Sequence, residues 1–151
     1  MATTTAPLTE AEVRSFAEDW YRKLDVHAPL AELLPLLADA DLEMRFPEET
    51  ARGHGGFAQW YERVIRIFFD EIHTVKEVKL TSKLDANGQL NTKVVVNWQA
   101  KVWNPPEPKS KWLGFDAYQT WVVRRSPTTG KPEIVTYIVD SLDPMPGSSS
   151  L

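Results

Sequence analysis

Apolar residues recur every three or four positions early in the chain, and this is the spacing of one face of an α-helix. The clearest case begins after Thr9, a good N-cap residue, and places Glu10 and Glu12 in the first turn, where negative charge is favourable. The apolar face of this first predicted helix comprises Val13, Phe16, Ala17, Trp20 and Leu24.

Two more helices are predicted downstream of the first. The stretch APLAELLPLLADAD indicates a shorter helix with Pro29 in its first turn, and Pro35 should bend or split it. The stretch ARGHGGFAQWYERVIRIFFDEI places glycines before a long amphipathic helix. The apolar face of this third helix comprises Phe57, Trp60, Tyr61, Val64, Ile65 and Phe68.

Period-two alternation marks the predicted strands. A short strand covers residues 42–46, and four longer strands follow from Val78 to the end of EIVTYIVDSL, with Asn87-Gly88 at a turn and a proline-rich loop at NPPEPKSK. Helices gathered before an antiparallel meander are typical of the α+β class. We therefore predict one domain over residues 8–143, between a flexible N-terminus (1–7) and a flexible tail (144–151).

Composition and charge narrow the classes of function. The chain of 151 residues has no cysteine, which excludes disulfides and thiolate chemistry, and its formal charge of -4 argues against a nucleic-acid partner. Without a signal peptide or a long apolar run, we expect a cytoplasmic protein with no membrane contact. Its three histidines lack metal-binding spacing, so no metal site is predicted.

The chain also resembles a known superfamily in its element order and in three local stretches, ARGHGGFAQWYERV, IHTVKEV and PEIVTYIVD. These resemble the SnoaL-like branch of the nuclear transport factor 2-like superfamily, with its polyketide cyclases, ketosteroid isomerases and scytalone dehydratases. The resemblance implies a cone-shaped, curved antiparallel sheet (cystatin-like) wrapped around a long helix. It also implies a pocket at the open end and a homodimer through the convex side of the sheet.

The resemblance gives His73 a counterpart, because scytalone dehydratase has a histidine where the meander begins. That enzyme's second histidine falls near Asn97 or Trp98, and its helix-one Tyr–Asp pair falls near Trp20-Tyr21 and the next two residues, where no aspartate stands. In ketosteroid isomerase the base aspartate corresponds to Phe46 and the acidic hydrogen-bond donor to Gln119. This chain therefore contains only some of the residues that correspond to the catalytic residues of scytalone dehydratase and ketosteroid isomerase.

Three residues are candidates for catalysis. Histidine titrates near neutral pH, so His73 is the candidate base, although a buried histidine bonded to backbone is the alternative. Tyr137 or Gln119 would polarise a carbonyl group. Asp140 is the candidate acid, but period two turns it away from a pocket lined by Tyr137 and Val139 unless a bulge intervenes.

Large aromatic residues are the candidates for contact with a ligand, since six Trp, six Phe and four Tyr could line a cavity as well as fill the core, and composition alone does not choose between the two. The predicted ligand-binding residues are Trp20, Phe46, Trp60, Tyr61, Phe68, Trp98, Gln119 and Trp121, each of which belongs either to the core or to a cavity wall. We expect an isomerase, cyclase or dehydratase that uses acid–base chemistry without a cofactor on an apolar, aromatic or polyketide-like substrate. The alternative is a non-catalytic ligand carrier or a dimeric interaction module.

Overall fold

The computed structural model of the protein describes residues 6–82 and 85–151. In this part of the chain the fold is α+β, as predicted, with the helices first and the long strands after them. The helices are α1 (Glu10–Asp25), α2 (Leu30–Leu33), a short 3-10 helix (Leu34–Leu36) that contains Pro35, and α3 (Gly53–Ile67). The strands are β1 (Glu43–Arg45), β2 (Thr50–Arg52), β3 (Phe68–Leu80), β4 (Leu90–Val102), β5 (Lys111–Arg125) and β6 (Pro132–Pro144).

The described strands form one open, mixed sheet in the order β2-β1-β6-β5-β4-β3. Neighbours are antiparallel except β1 and β6, which run parallel with Met44 opposite Tyr137. The predicted antiparallel sheet is therefore mixed at this one pair. Parallel neighbours need a long connection, and here it contains α3 and the meander. Alternation along a segment identifies a strand but not the direction of its neighbour.

The junction between α3 and β3 lies earlier than the hydrophobic pattern predicts. Phe68 has an extended backbone (φ -105°, ψ 144°) and pairs with Val102 of β4, so its placement on a helical face was wrong. Pairing with a neighbouring strand overrides the helical periodicity, which continues into this segment. As a result His73 lies within β3, opposite Trp98, rather than at the joint between helix and strand.

Helix α1 packs against the sheet through the face that the sequence predicts. The Thr9 hydroxyl accepts a hydrogen bond from the Glu12 backbone N–H at 3.1 Å and caps the helix. The buried residues of α1 are Val13, Phe16, Ala17, Trp20, Tyr21 and Leu24, whereas α3 buries only Phe57 and Tyr61. The main hydrophobic core therefore lies between α1 and the sheet.

Polar side chains of α1 cover the exposed edge of β3. The carboxylate of Glu10 accepts from Leu80 N–H at 3.0 Å, and the guanidinium of Arg14 donates to the Val75 carbonyl at 3.1 Å. Asp25 accepts from His73 N–H at 3.0 Å at the other end of the helix. An edge strand leaves backbone groups unpaired, and these bonds satisfy three of them. They also fix the C-terminal end of α1 beside His73.

The C-terminal segment lies along β5. The backbone N–H groups of Met145 and Ser149 donate to the carbonyls of Gly114 and Trp112 at 2.9 and 3.0 Å. A Cβ atom at Gly114 would lie 2.5 Å from the Trp112 ring and 2.8 Å from Met145 Sδ. Glycine at this position therefore allows Trp112 and the C-terminal segment to lie close to the strand.

No helix in the described ranges combines the length and the apolar character needed to cross a lipid bilayer.

Candidate active site

A cavity of about 120 Å³ lies between the end of α1, one side of α3 and the inner face of the sheet. Apolar side chains form most of its wall, and its polar lining consists of Glu48, Tyr61, Glu71, His73, Gln119 and Tyr137. A dry protein cavity of about 150 Å³ holds benzene, so this one, which opens at one side, is of the size for a single aromatic ring. An apolar wall with a few polar groups is usual for a small-molecule site.

Six of the eight predicted ligand-binding residues line this cavity: Phe46, Trp60, Tyr61, Phe68, Trp98 and Gln119. The other two, Trp20 and Trp121, are 1% and 0% exposed and belong to the core instead. Their inclusion among the ligand contacts was wrong. Both rings pack beside Tyr137, at 6.5 and 5.3 Å between centroids, and so support the cavity floor from behind.

His73 is held by Asp25, the last residue of α1. One oxygen of Asp25 accepts from His73 N–H at 3.0 Å, and the other lies 2.6 Å from His73 Nδ1. A carboxylate can only accept, so Nδ1 carries the hydrogen, and in the neutral ring Nε2 is left unprotonated. No described residue bonds to Nε2, and the His73 ring lines the cavity. This is the arrangement of a general base with an orienting carboxylate.

Two aromatic rings flank His73 and fix the plane of its imidazole. Tyr21 stacks on it with the ring centroids 4.6 Å apart and an interplanar angle of 21°, and Trp98 lies at 6.3 Å and 22°. The His73 side chain is 11% exposed. The two rings therefore hold the imidazole in one plane at the cavity wall.

A hydrogen-bonded network forms the cavity floor beyond His73. Oε1 of Gln119 accepts from the Tyr21 hydroxyl at 3.0 Å and from the Trp121 indole N–H at 2.8 Å. Tyr21 has a single hydroxyl hydrogen, so the 3.0 Å contact between Tyr21 and Tyr137 is donated by Tyr137. The hydroxyl proton of Tyr137 is therefore donated to Tyr21. The amide N–H groups of Gln119 are the donors of the floor that remain available to a ligand.

The floor tyrosines remain protonated over the ordinary pH range. Burial raises the pKa of Tyr137 to about 12, and burial is also the main cause that raises the pKa of Tyr21. A buried phenolate loses its hydration, which disfavours the charged form. Both hydroxyls consequently act as neutral hydrogen-bonding groups.

Asp140 lies outside the cavity, and its assignment as a catalytic acid was wrong. A bulge is present, since Gln119 pairs with Val139 while Tyr118 pairs with Ser141, and Asp140 is the extra residue. The bulge still leaves its carboxylate on the outer face of the sheet. There it accepts from the Thr120 hydroxyl at 2.7 Å, and it is 42% exposed.

Tyr21 and Asp25 belong to the site but were not predicted from the sequence. The resemblance to scytalone dehydratase pointed to residues 20–23, where no aspartate stands. Tyr21 and Asp25 are four positions apart on α1, about one helical turn, so both project to the side that faces β3. The i, i+4 spacing was the available signal.

The carboxylate of Glu71 was also not predicted from the sequence as part of the site. Glu71 lines the wall with a side chain that is 12% exposed, and His27 lies 2.6 Å from it. Across residues 6–82 and 85–151, no three or more histidine, aspartate or glutamate side chains form a group that could hold a metal ion.

Comparisons with known proteins show the fold. No protein-family model matches the chain, and no curated protein matches its sequence. Among solved structures, hexachlorocyclohexane dehydrochlorinase LinA-type3 from Novosphingobium barchaimii matches with a TM-score of 0.69 and 16% identity, over 93% of this chain and 92% of that one. ActVI-ORFA from Streptomyces coelicolor matches with a TM-score of 0.66 and 19% identity, over 88% and 96%.

A ketosteroid isomerase-like protein from Erwinia carotovora atroseptica also matches, with a TM-score of 0.67 and 17% identity, over 90% of this chain and 95% of that one. The chain thus has the cystatin-like fold of the SnoaL-like and nuclear transport factor 2-like proteins, as the sequence resemblance predicts. Its structural neighbours include enzymes of dehydratase and isomerase type. At these identities the likeness extends to the fold and does not specify a reaction.

Proposed function

We propose that the protein is an acid–base enzyme in which His73 removes a proton from a small apolar or aromatic molecule held in the cavity. The observation that carries the proposal is the His73 ring itself: Nδ1–H is bound to Asp25, the ring lines the cavity, and no described residue bonds to Nε2. A neutral imidazole oriented by a carboxylate is an effective base near neutral pH. The reaction would be of isomerase, cyclase or dehydratase type.

Each group at the site has a part in this chemistry. His73 Nε2 takes the proton from a carbon atom of the substrate, and Asp25 stabilises the imidazolium that results. The electron pair of the broken C–H bond moves towards a carbonyl oxygen or a departing group. The amide of Gln119, whose oxygen is fixed by Tyr21 and Trp121, directs its N–H group to that developing negative charge. We favour Gln119 over Tyr137 because the Tyr137 proton is already donated to Tyr21.

The proposal can be tested without the natural substrate. The probe is 5-nitrobenzisoxazole, a small apolar aromatic molecule that needs only a base: removal of its C3 proton breaks the N–O bond and releases a coloured cyanonitrophenolate. We expect saturable turnover by the wild-type protein. In His73→Ala we expect kcat/KM to fall by at least about a hundredfold, which is the usual contribution of a general base to the rate. Asp140→Asn is the matched control, and we expect it to keep the wild-type rate because Asp140 faces away from the cavity.

Two outcomes would count against an enzyme. Equal rates for the wild-type protein and His73→Ala would remove His73 from the mechanism. Saturable binding of the probe with no turnover at any pH between 6 and 9 would favour the ligand carrier instead. Circular dichroism spectra of each variant would show that the comparison is made between folded proteins.

A homodimer through the outer face of the sheet is a separate part of the proposal. Tyr118, on this outer face, is 42% exposed, and large exposed aromatic side chains are enriched at interfaces. Sedimentation equilibrium should give twice the chain mass for the wild-type protein and a shift towards monomer for Tyr118→Glu. A monomeric wild-type protein would contradict the proposal.

A further inference from the structure

A second histidine–carboxylate pair lies beside the first. His27 Nε2 and Glu71 Oε2 are 2.6 Å apart, and since the carboxylate can only accept, Nε2 carries the hydrogen and donates it. In the first pair the carboxylate belongs to α1 and the histidine to β3, as Asp25 and His73. In the second pair the histidine, His27, follows α1 and the carboxylate, Glu71, belongs to β3. The proposed role of His73 as a base requires Asp25 but does not require the carboxylate of Glu71.

The backbone near both partners is in an uncommon conformation. His27 and Asp70, the neighbour of Glu71, have φ angles of 52° and 50°, and they are the only non-glycine residues with positive φ in residues 6–82 and 85–151. This left-handed region is unfavourable for most side chains, so it persists only where surrounding contacts stabilise it. Such positions concentrate at functional sites.

Local structure shows how each conformation is held. At His27 the helix ends with bonds from His27 N–H to the Leu24 carbonyl at 3.1 Å and from Ala28 N–H to the Lys23 carbonyl at 2.9 Å. This pattern usually has glycine at the left-handed position. On β3 the register with β4 shifts between Phe69 and Ile72, so the chain bulges at Asp70 and Glu71. Bulges of this kind redirect a side chain, and here Glu71 reaches the cavity wall.

The Glu71 carboxylate retains acceptor capacity towards the cavity. His27 occupies one position on Oε2, and the Trp98 indole nitrogen lies 3.4 Å from Oε1, which is long for a hydrogen bond. An ionised carboxylate can accept about four hydrogen bonds. Phe68, another residue of the cavity wall, has no side-chain hydrogen-bond donor. A ligand without a hydrogen-bond donor would displace water from Glu71 without replacing its hydrogen bonds, which is energetically unfavourable.

We propose that Glu71 is a specificity-determining residue that accepts a hydrogen bond from a hydroxyl group on the ligand. The ligands of the cavity would then be hydroxylated ring compounds, such as phenols, rather than hydrocarbons or fully alkylated ethers. A site built to pair with a hydroxyl rejects the analogue that lacks it, because its own polar group is left unpaired. This inference rests on the proposed function only in using the same cavity as the ligand site, and it does not require His73 to be catalytic.

The test compares two probes of nearly the same shape, p-cresol and 4-methylanisole, which differ by methylation of the hydroxyl oxygen. Binding is followed by nuclear magnetic resonance through the indole N–H signals of Trp60 and Trp98, which both line the cavity. We expect the wild-type protein to bind p-cresol about tenfold more tightly, the usual effect of a hydrogen bond to a charged group. Equal affinities for the two probes would overturn the proposal.

Variants identify the acceptor. Glu71→Met keeps a side chain of similar length without an acceptor, so 4-methylanisole should still bind and the preference for p-cresol should vanish. Glu71→Gln keeps a neutral acceptor and should give an intermediate ratio, and it remains informative if Glu71→Met does not fold. Glu48→Met is the matched control, since Glu48 also lines the cavity but is exposed, and it should keep the wild-type ratio.

His73 is the rival acceptor, and His73→Ala decides between the two. We expect this variant to keep the preference for p-cresol. Loss of the preference in His73→Ala together with its retention in both Glu71 variants would overturn the proposal. The two hypotheses fail independently: wild-type protein without turnover of 5-nitrobenzisoxazole refutes catalysis, whereas this test reads only the ratio of two binding constants.

Discussion

Asp25 contacts His73 at two atoms, with one carboxylate oxygen on the backbone N–H at 3.0 Å and the other 2.6 Å from ring Nδ1. A single side chain thus fixes both the strand and the imidazole that it carries. The contact joins the last residue of α1 to the sixth residue of β3, which lies at the edge of the sheet. Packing of the helix on the strand and orientation of the base therefore depend on the same carboxylate.

Replacement of Asp25 with asparagine should test this double role. An amide has one acceptor oxygen for two donors. It can satisfy both groups of His73 only if its NH₂ group donates to Nδ1 and the ring hydrogen moves to Nε2, which removes the base. A neutral acceptor also replaces a charged one, so we expect a loss of about 1 kcal/mol in the free energy of unfolding and a large fall in the turnover of 5-nitrobenzisoxazole. Asp19→Asn is the control, since Asp19 pairs with Arg22 and Lys23 on the exposed side of α1. Wild-type stability and rate in Asp25→Asn would contradict this account.

Alkaline stability should depend on Tyr137. In the folded protein burial raises the pKa of Tyr137 to about 12, whereas an unfolded tyrosine has a pKa of about 10. Between these values the unfolded state binds fewer protons, so stability is complete below pH 10 and falls as the pH rises. The slope from this group approaches about 1.4 kcal/mol per pH unit. Urea unfolding from pH 9 to 12 should show a shallower decline for Tyr137→Phe, and parallel curves would refute the assignment.

Acid stability should depend on Glu12. Hydrogen bonds from Arg125, at 2.7 and 3.0 Å, are the main cause that lowers the pKa of Glu12 in the folded protein. The unfolded state then binds more protons near pH 4, so the contribution is present above that value and is lost as the pH falls further. The pair is partly exposed, so we expect about 1 kcal/mol or less at pH 7.

Urea titrations of Glu12→Gln and the wild-type protein should therefore differ at pH 7 and converge below about pH 3. Glu18→Gln, which removes a carboxylate 3.8 Å from Arg14 on the exposed side of the helix, is the control with a small change throughout. A constant gap between Glu12→Gln and the wild-type protein at all pH values would show that the effect is not electrostatic.

The two core tryptophans should respond differently to loss of the indole N–H. Trp121 Nε1 donates to Gln119, whereas the buried Nε1 of Trp20 has no partner in the described ranges. Replacement with phenylalanine opens a cavity at either site, at a cost of about 1–3 kcal/mol. Trp121→Phe should lose about 1 kcal/mol more, since it also removes a donor from the cavity floor. Urea unfolding of both variants measures the difference, and a larger loss in Trp20→Phe would contradict it.

The outline of the fold could be predicted because it depends on local spacing. Val13, Phe16, Trp20 and Leu24 mark the buried face of α1, and alternation from Thr92 to Ala100 marks the inner face of β4. Phe68 could not be placed in this way, because its helical spacing is overruled by pairing with Val102. The short strand Thr50–Arg52 left no signal at all, since only Ala51 is buried there.

The sequence by itself determined the α+β class, the single core and the choice of His73, because periodicity and residue chemistry are properties of one segment. It could not determine the partners of His73, since Asp25 is 48 positions away and reaches it only when α1 packs along β3. Nor could it determine Glu71, whose direction is set by a bulge and by its contact with His27. Only the tertiary structure decides contacts between segments. Here those contacts make His73 a candidate base and Glu71 a candidate hydrogen-bond acceptor for a hydroxyl group.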